Sequence, residues 1–211
     1  MANGIPYQDL AKITKAHYLY DKYNGKELED QLAMELPENY IVHNGLSDRG
    51  VLVTEKGNNR VISVKGSNIY SPGDLWADTL LAAGLHRSNS QFLDRKKKIK
   101  DIMRNDPTRD YYLTGHSLGG SIITQALVSS PSIRRNTKKA TVFNPGSTPA
   151  FEAALKPRKG VDDELKDKLE IHRHKNDLVS KSAGDTVGQV FLHGNGRKGY
   201  LEAHTLGNFT R

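Results

Sequence analysis

Cysteine is absent from the 211 residues, which excludes disulfides, thiolate nucleophiles and cysteine-based zinc sites together. Long apolar runs are missing too. No stretch approaches the roughly eighteen residues that a membrane-spanning helix requires, and the mean hydropathy is −0.63. The opening residues Met1-Ala2-Asn3-Gly4-Ile5-Pro6-Tyr7 show no basic flank followed by an apolar stretch. No signal peptide is therefore expected, and cytoplasmic or otherwise intracellular residence is the default expectation. Repeats, linkers and low-complexity tracts are likewise lacking, and the length suits one domain over residues 1–211.

Charge is the first thing present in surplus: 31 Lys+Arg stand against 24 Asp+Glu, for a net +7. Such a surplus favours anionic partners, an anionic membrane surface among them, and equally describes a solvated basic face. The densest run, Arg95-Lys96-Lys97-Lys98-Ile99-Lys100, lies among Phe92, Leu93, Ile99, Ile102 and Met103 at helical spacing. It reads as the exposed side of a helix. No aromatic interleaving or nucleic-acid motif accompanies it, so no nucleic-acid partner is expected.

Residues 7–36 have helical periodicity, with one apolar face from Leu10 to Tyr20 and another from Leu28 to Leu36, closed by Pro37. The period then changes to two. Tyr40-Ile41-Val42, Val51 to Thr54 and Arg60 to Val64 predict strands, the last two joined through Gly57-Asn58-Asn59. Helical patterns over 75–85 and through the basic run follow, then strands at Asp110 to Thr114, Ala140 to Phe143 and Leu169 to His172. A helix over Leu118 to Ser129, closed by Pro131, and a polar helix over Phe151 to Lys168 separate them. This alternation predicts an α/β fold with a mainly parallel central sheet covered on both faces.

Inside that pattern Gly115, Ser117 and Gly119 form a Gly-x-Ser-x-Gly motif between a strand and a helix. The arrangement is that of a nucleophile elbow, in which a sharp turn exposes a serine hydroxyl, and small flanking residues permit the turn. A serine needs a base and an orienting carboxylate. Of the eight histidines, only His172, His174, His193 and His204 follow Ser117. His172 and His174 alternate within a strand pattern and read as packing or surface residues. His204 lies near the C-terminus, where the last loop of such a sheet delivers its base, and His193 is the reserve candidate. Asp177 follows immediately on the Leu169 to His174 strand, at the edge where open α/β sheets place their chemistry. The oxyanion donors fall to the Leu118 N–H and to Lys65-Gly66-Ser67 after the Val61 to Val64 strand.

Four blocks together resemble the class 3, or fungal-type, lipases of the α/β-hydrolase fold: Val61 to Ser67, Asp74 to Asp78, Thr114 to Gly120, and Asn176 to Val179 with Ala203 to Leu206. The family commonly has arginine where Lys65 stands, and Asn144-Pro145-Gly146 varies its glycine-containing turn. The resemblance implies a triad of Ser117, Asp177 and His204, and an oxyanion hole of Ser67 and Leu118. It implies hydrolysis of a lipid ester, acylglycerol or glycerophospholipid, with no metal or organic cofactor. It also implies a lid drawn from residues 68–83, with Ile69, Tyr70, Leu75 and Trp76 toward substrate; a fixed helix packing Trp76 into the core is the alternative. A soluble non-lipid carboxylesterase and a non-catalytic lipid-binding or assembly protein remain rival expectations. Oligomeric state has no signature.

Overall fold

The computed structural model describes residues 4–66, 90–146, 160–177, 187–194 and 200–210. Instead of one continuous helical stretch, the N-terminal region forms α1 (Tyr7–His17), a 3₁₀ turn η1 (Tyr18–Asp21) and α2 (Gly25–Glu35). The break falls at Asn24-Gly25, where Gly25 has φ of 53°, a conformation that glycine adopts without a Cβ clash.

Among the described residues one seven-stranded sheet runs β1 (Ile41–Val42), β2 (Val51–Lys56), β3 (Asn59–Val64), β4 (Asp110–His116), β5 (Thr137–Phe143), β6 (Leu169–His174) and β7 (Gln189–His193), in that spatial order. β1, β2 and β3 pair antiparallel, and every later pair is parallel. The β2–β3 hairpin turns on two residues, Gly57 and Asn58, because Lys56 already pairs with Asn59. Gly57 takes the left-handed φ of 60° that the tight turn requires.

The remaining helices among the described residues are α3 (Ser90–Asn105), α4 (Leu118–Ser129), α5 (Pro131–Asn136), α6 (Val161–Lys168) and α7 (Tyr200–Ala203), with a second 3₁₀ turn η2 (Leu206–Asn208). Pro131 does not simply close α4. It opens α5 at the first helical position, where its missing N–H is no loss, and Ser130 caps the new helix through Ile133 N. Of the polar helix expected over 151–168, the described part is α6. The pattern over 75–85 lies outside the described residues, and β7 was not anticipated.

Strand order equals chain order, and for crossovers of the usual right hand this carries the connecting helices to one face of the sheet, where residues of α3, α4, α5 and α6 share one core. The core divides accordingly. Val51, Val53, Ile62, Val64, Leu113 and Val142 pack with α3, α4 and α5. Leu52, Val61, Tyr112 and Phe143, their alternates along the strands, pack with α1, α2, Leu206 and Phe209. The second face is thus covered by the first helix of the chain and by its last residues. This arrangement brings η1 to the C-terminal edge of the parallel strands. No described helix is long and apolar enough to cross a membrane.

Candidate active site

β4 is buried along nearly its whole length and ends at His116. Ser117 follows at φ 53° and ψ −125°, and the next residue begins α4. Positive φ is uncommon for a residue with a Cβ, and here the turn is tied on both sides. Ser117 N donates to the Phe143 carbonyl at 3.1 Å, and Gly146 N donates to the Ser117 carbonyl at 3.3 Å. The flanking glycines are forced by close approach. A Cβ on Gly115 would stand 2.8 Å from the backbone of Gly119, and one on Gly119 would stand 2.1 Å from the Val64 carbonyl oxygen.

Asp177 lies just past β6, where its N–H donates to the His174 carbonyl at 2.9 Å. His204 follows the short α7. The two side chains, 27 residues apart, meet: His204 Nδ1 lies 3.0 Å from Asp177 Oδ1, and both residues are buried. A carboxylate oxygen accepts, so Nδ1 carries the proton and Nε2 is the bare, basic nitrogen. Ser117 Oγ and His204 Nε2 are both buried, and neither has a hydrogen-bond partner among the described residues.

The loop carrying His204 is held from β5. Asn144, at φ 41°, donates from Nδ2 to the Ala203 carbonyl at 3.0 Å and accepts the His174 N–H on Oδ1 at 2.8 Å. The variant turn after β5 is therefore a clasp between the strand that precedes the acid and the segment that precedes the base.

At the end of β3, Gly66 abuts the elbow; a Cβ there would lie 2.7 Å from the His116 carbonyl oxygen and 3.4 Å from Leu118 N. The Leu118 N–H is one of the first-turn donors that a helix leaves unpaired within itself, at the positive end of its dipole. Lys65 forms a buried ion pair with Asp21 of η1, and Arg95 Nη1 donates to the Lys65 carbonyl at 2.6 Å. Burial pushes the Arg95 guanidinium below its ordinary pKa. Ser67, the second expected oxyanion donor, and Ile69, Tyr70, Leu75 and Trp76 lie outside the described residues.

The reserve histidine belongs elsewhere. His193 Nε2 lies 2.8 Å from His172 Nδ1, and the two rings stack at 4.9 Å. Tyr7, Phe191 and Phe209 surround them. His172 and His174 are both buried on the α1 side of the sheet, the packing alternative expected of them. Among the described residues no group of histidines and carboxylates could hold a metal ion.

No protein-family model matches the chain, and no curated protein matches it by sequence. Solved structures do. A triacylglycerol lipase described as having a serine protease triad at its catalytic centre is 12% identical, with 90% of this chain and 78% of that one covered at a TM-score of 0.55. Rhizomucor miehei triacylglyceride lipase is 11% identical over 90% of this chain and 79% of its own, at 0.53. The native Rhizomucor miehei lipase propeptide complex is 12% identical over 90% and 67%, at 0.51. At such identities the likeness is one of architecture, and the chain carries the α/β-hydrolase fold of the fungal-type lipases.

Proposed function

We propose that this protein is a serine hydrolase that cleaves carboxylic esters of lipids through an acyl-enzyme. The observation that carries the reading is that two of the buried polar atoms without a hydrogen-bond partner among the described residues are Ser117 Oγ on its strained turn and Nε2 of a histidine already paired with Asp177. Native proteins seldom bury polar atoms without partners, since each costs about 1–3 kcal/mol. Two such atoms on residues able to exchange a proton fit a site whose remaining partner is the substrate.

In the proposed reaction His204 Nε2 takes the Ser117 hydroxyl proton as Oγ attacks the ester carbonyl. The Leu118 N–H and, by the resemblance, Ser67 receive the oxyanion. Collapse expels the alcohol, which leaves with the proton from His204, and the acyl group stays on Oγ. Water then adds with His204 as base, releasing the carboxylic acid and restoring the serine. Asp177 holds the imidazole in the tautomer that this proton traffic needs. The lipid character of the substrate rests on the sequence resemblance and on the lipases that share the fold, and the basic surplus suits an anionic interface.

Labelling with a fluorescent fluorophosphonate tests the chemistry. The wild-type chain is expected to label at Ser117 and to hydrolyse esters, with Ser117→Ala losing about a millionfold in turnover. An unlabelled wild-type chain would point to a non-catalytic scaffold. A labelled chain that cleaves only soluble short-chain esters and ignores lipid emulsions or vesicles would leave the serine chemistry intact and remove the lipid assignment.

A further inference from the structure

His116 sits between the first motif glycine and the nucleophile, and the proposed reaction makes no use of its ring. The ring is nonetheless fully engaged. Nε2 lies 2.6 Å from the His204 carbonyl oxygen, and Nδ1 lies 3.1 Å from the Tyr18 hydroxyl. A carbonyl oxygen can only accept, so Nε2 carries the hydrogen. Nδ1 is then bare and receives the Tyr18 O–H. One tautomer satisfies both contacts. Burial keeps the ring neutral, pushing its pKa down to about 3, with the neighbouring His204 acting in the same direction. The His116 and His204 rings also lie against one another, with centroids 4.7 Å apart.

The chain of bonds begins in η1, immediately after α1. Tyr18 reaches the elbow because α1 covers the sheet face toward which His116 projects, the face of Tyr112 and Phe143. Three residues further on, Asp21 pairs with Lys65 at the end of β3. η1 therefore touches the approach to both halves of the site. At the receiving end, the one hydrogen bond of the His204 ring among the described residues is that from Nδ1 to Asp177, and one hydrogen bond leaves a ring free to pivot unless its backbone is held. Asn144 holds the carbonyl before it, that of Ala203. His116 holds the carbonyl of His204 itself.

We propose that His116 is a positioning residue for the catalytic base: a Tyr18–His116–His204 carbonyl chain of hydrogen bonds fixes the backbone from which the His204 ring reaches Asp177 and Ser117. The inference rests on the hydrolase reading above, and it names residues that a triad alone leaves unassigned.

The test compares the wild type with Tyr18→Phe, His116→Leu and His116→Gln, measuring the rate of Ser117 phosphonylation by a fluorophosphonate and kcat and KM for a soluble ester. His116→Leu is expected to slow phosphonylation and kcat by about a hundredfold with KM little changed, the scale that misplacing a reacting group reaches. Tyr18→Phe is expected to cost about threefold to tenfold, the worth of one hydrogen bond. Glutamine can donate to the His204 carbonyl and accept from Tyr18 through one carboxamide, so His116→Gln is expected to recover to within about threefold of wild type. Nitrogen-15 NMR of labelled histidine supplies a readout that general loss of stability does not imitate. It should show His116 neutral and protonated at Nε2 at pH 5, and a His204 Nδ1 proton that is sharp in wild type and His116→Gln and broadened in Tyr18→Phe.

Wild-type rates in folded His116→Leu, or a rise in KM with kcat unchanged, would overturn the proposal while leaving the hydrolase reading standing. So would a His116 ring that titrates at the ordinary 6.5. If His116→Leu does not fold, equal rates in Tyr18→Phe and wild type have the same force. A wild-type chain that fails to label is a different result, since it removes the hydrolase reading and this inference together.

Discussion

Mild acid should destabilise this protein well before its carboxylates titrate. His17, the last residue of α1, reaches β3, with Nδ1 3.3 Å from Ser63 Oγ and Nε2 3.4 Å from the Asp48 carbonyl oxygen. Burial pushes its pKa from 6.5 to about 3; the nearby Lys65 and Arg95 add to the fall, and the Asp48 carbonyl and carboxylate oppose it. His116 is pushed to about 3 as well, by burial first and by His204 next, while Asp177 opposes. Both folded values lie below the unfolded one. Between pH 3 and 6.5 the unfolded chain binds more protons, so stability is full above that window and falls as pH drops through it. At roughly 1.36 kcal/mol per unit for each ring, the pair removes about 4 kcal/mol between pH 7 and 5, a large share of the 5–15 kcal/mol that holds a typical domain together.

Carboxylates add to the loss only later. His172 and Lys139 hold Glu170 at about 2, so its contribution is lost only as pH falls below 4.5 and through that folded value. Urea unfolding at pH 7, 6 and 5 measures the effect as a shift in midpoint at constant m. The wild type should approach two protons of linkage between pH 6 and 5, and His17→Gln should show about half of that. A wild-type linkage below about half a proton would refute the reasoning, because the rings would then be titrating as if exposed.

Three further outcomes follow from the geometry. Gly119→Ala sets a Cβ 2.1 Å from the Val64 carbonyl oxygen, a backbone atom that can yield only by moving β3; a loss of about 1–3 kcal/mol or more in urea unfolding is expected, with slower fluorophosphonate labelling. Asp177→Asn should keep the fold by circular dichroism and lower kcat by about ten-thousandfold, because the amide no longer fixes the required His204 tautomer. Arg60→Ala removes the guanidinium that stands 2.5 Å from Glu55 and 3.1 Å from Asp106, while Arg109 stays 3.9 and 3.1 Å from the same carboxylates; urea unfolding should show a lowered midpoint, and labelling of the folded fraction, at the other end of β3, should stay at the wild-type rate.

The elbow and its strand were legible because β4 is buried on both sides and its composition leaves one interpretation, and because the glycines at 115 and 119 answer a demand made within a few residues. Asp177 and His204 could be nominated by chain order, since the sheet visits its C-terminal edge in sequence. The role of His116 was not legible. Its partners are Tyr18, 98 residues before it, and the backbone of His204, 88 residues after it, and no local pattern encodes a contact with a carbonyl. β7 is not legible in the pattern because it is an edge strand with Phe191 and Leu192 exposed, so alternation does not mark it. Pro131 misled because proline ends one helix and starts another with equal ease, and only the Ser130 cap separates the two cases.

The backbone at Ser117 bears on endurance rather than turnover. A serine held at φ 53° and ψ −125° carries strain on the order of 1–3 kcal/mol that glycine does not feel. Glycine returns part of that gain, about 0.4–1 kcal/mol, by loosening the unfolded chain. Ser117→Gly should therefore outlast the wild type on heating. Under the proposed hydrolase reading, catalytic competence and thermal durability are opposed at this residue, and a selection for heat resistance alone would favour discarding Ser117.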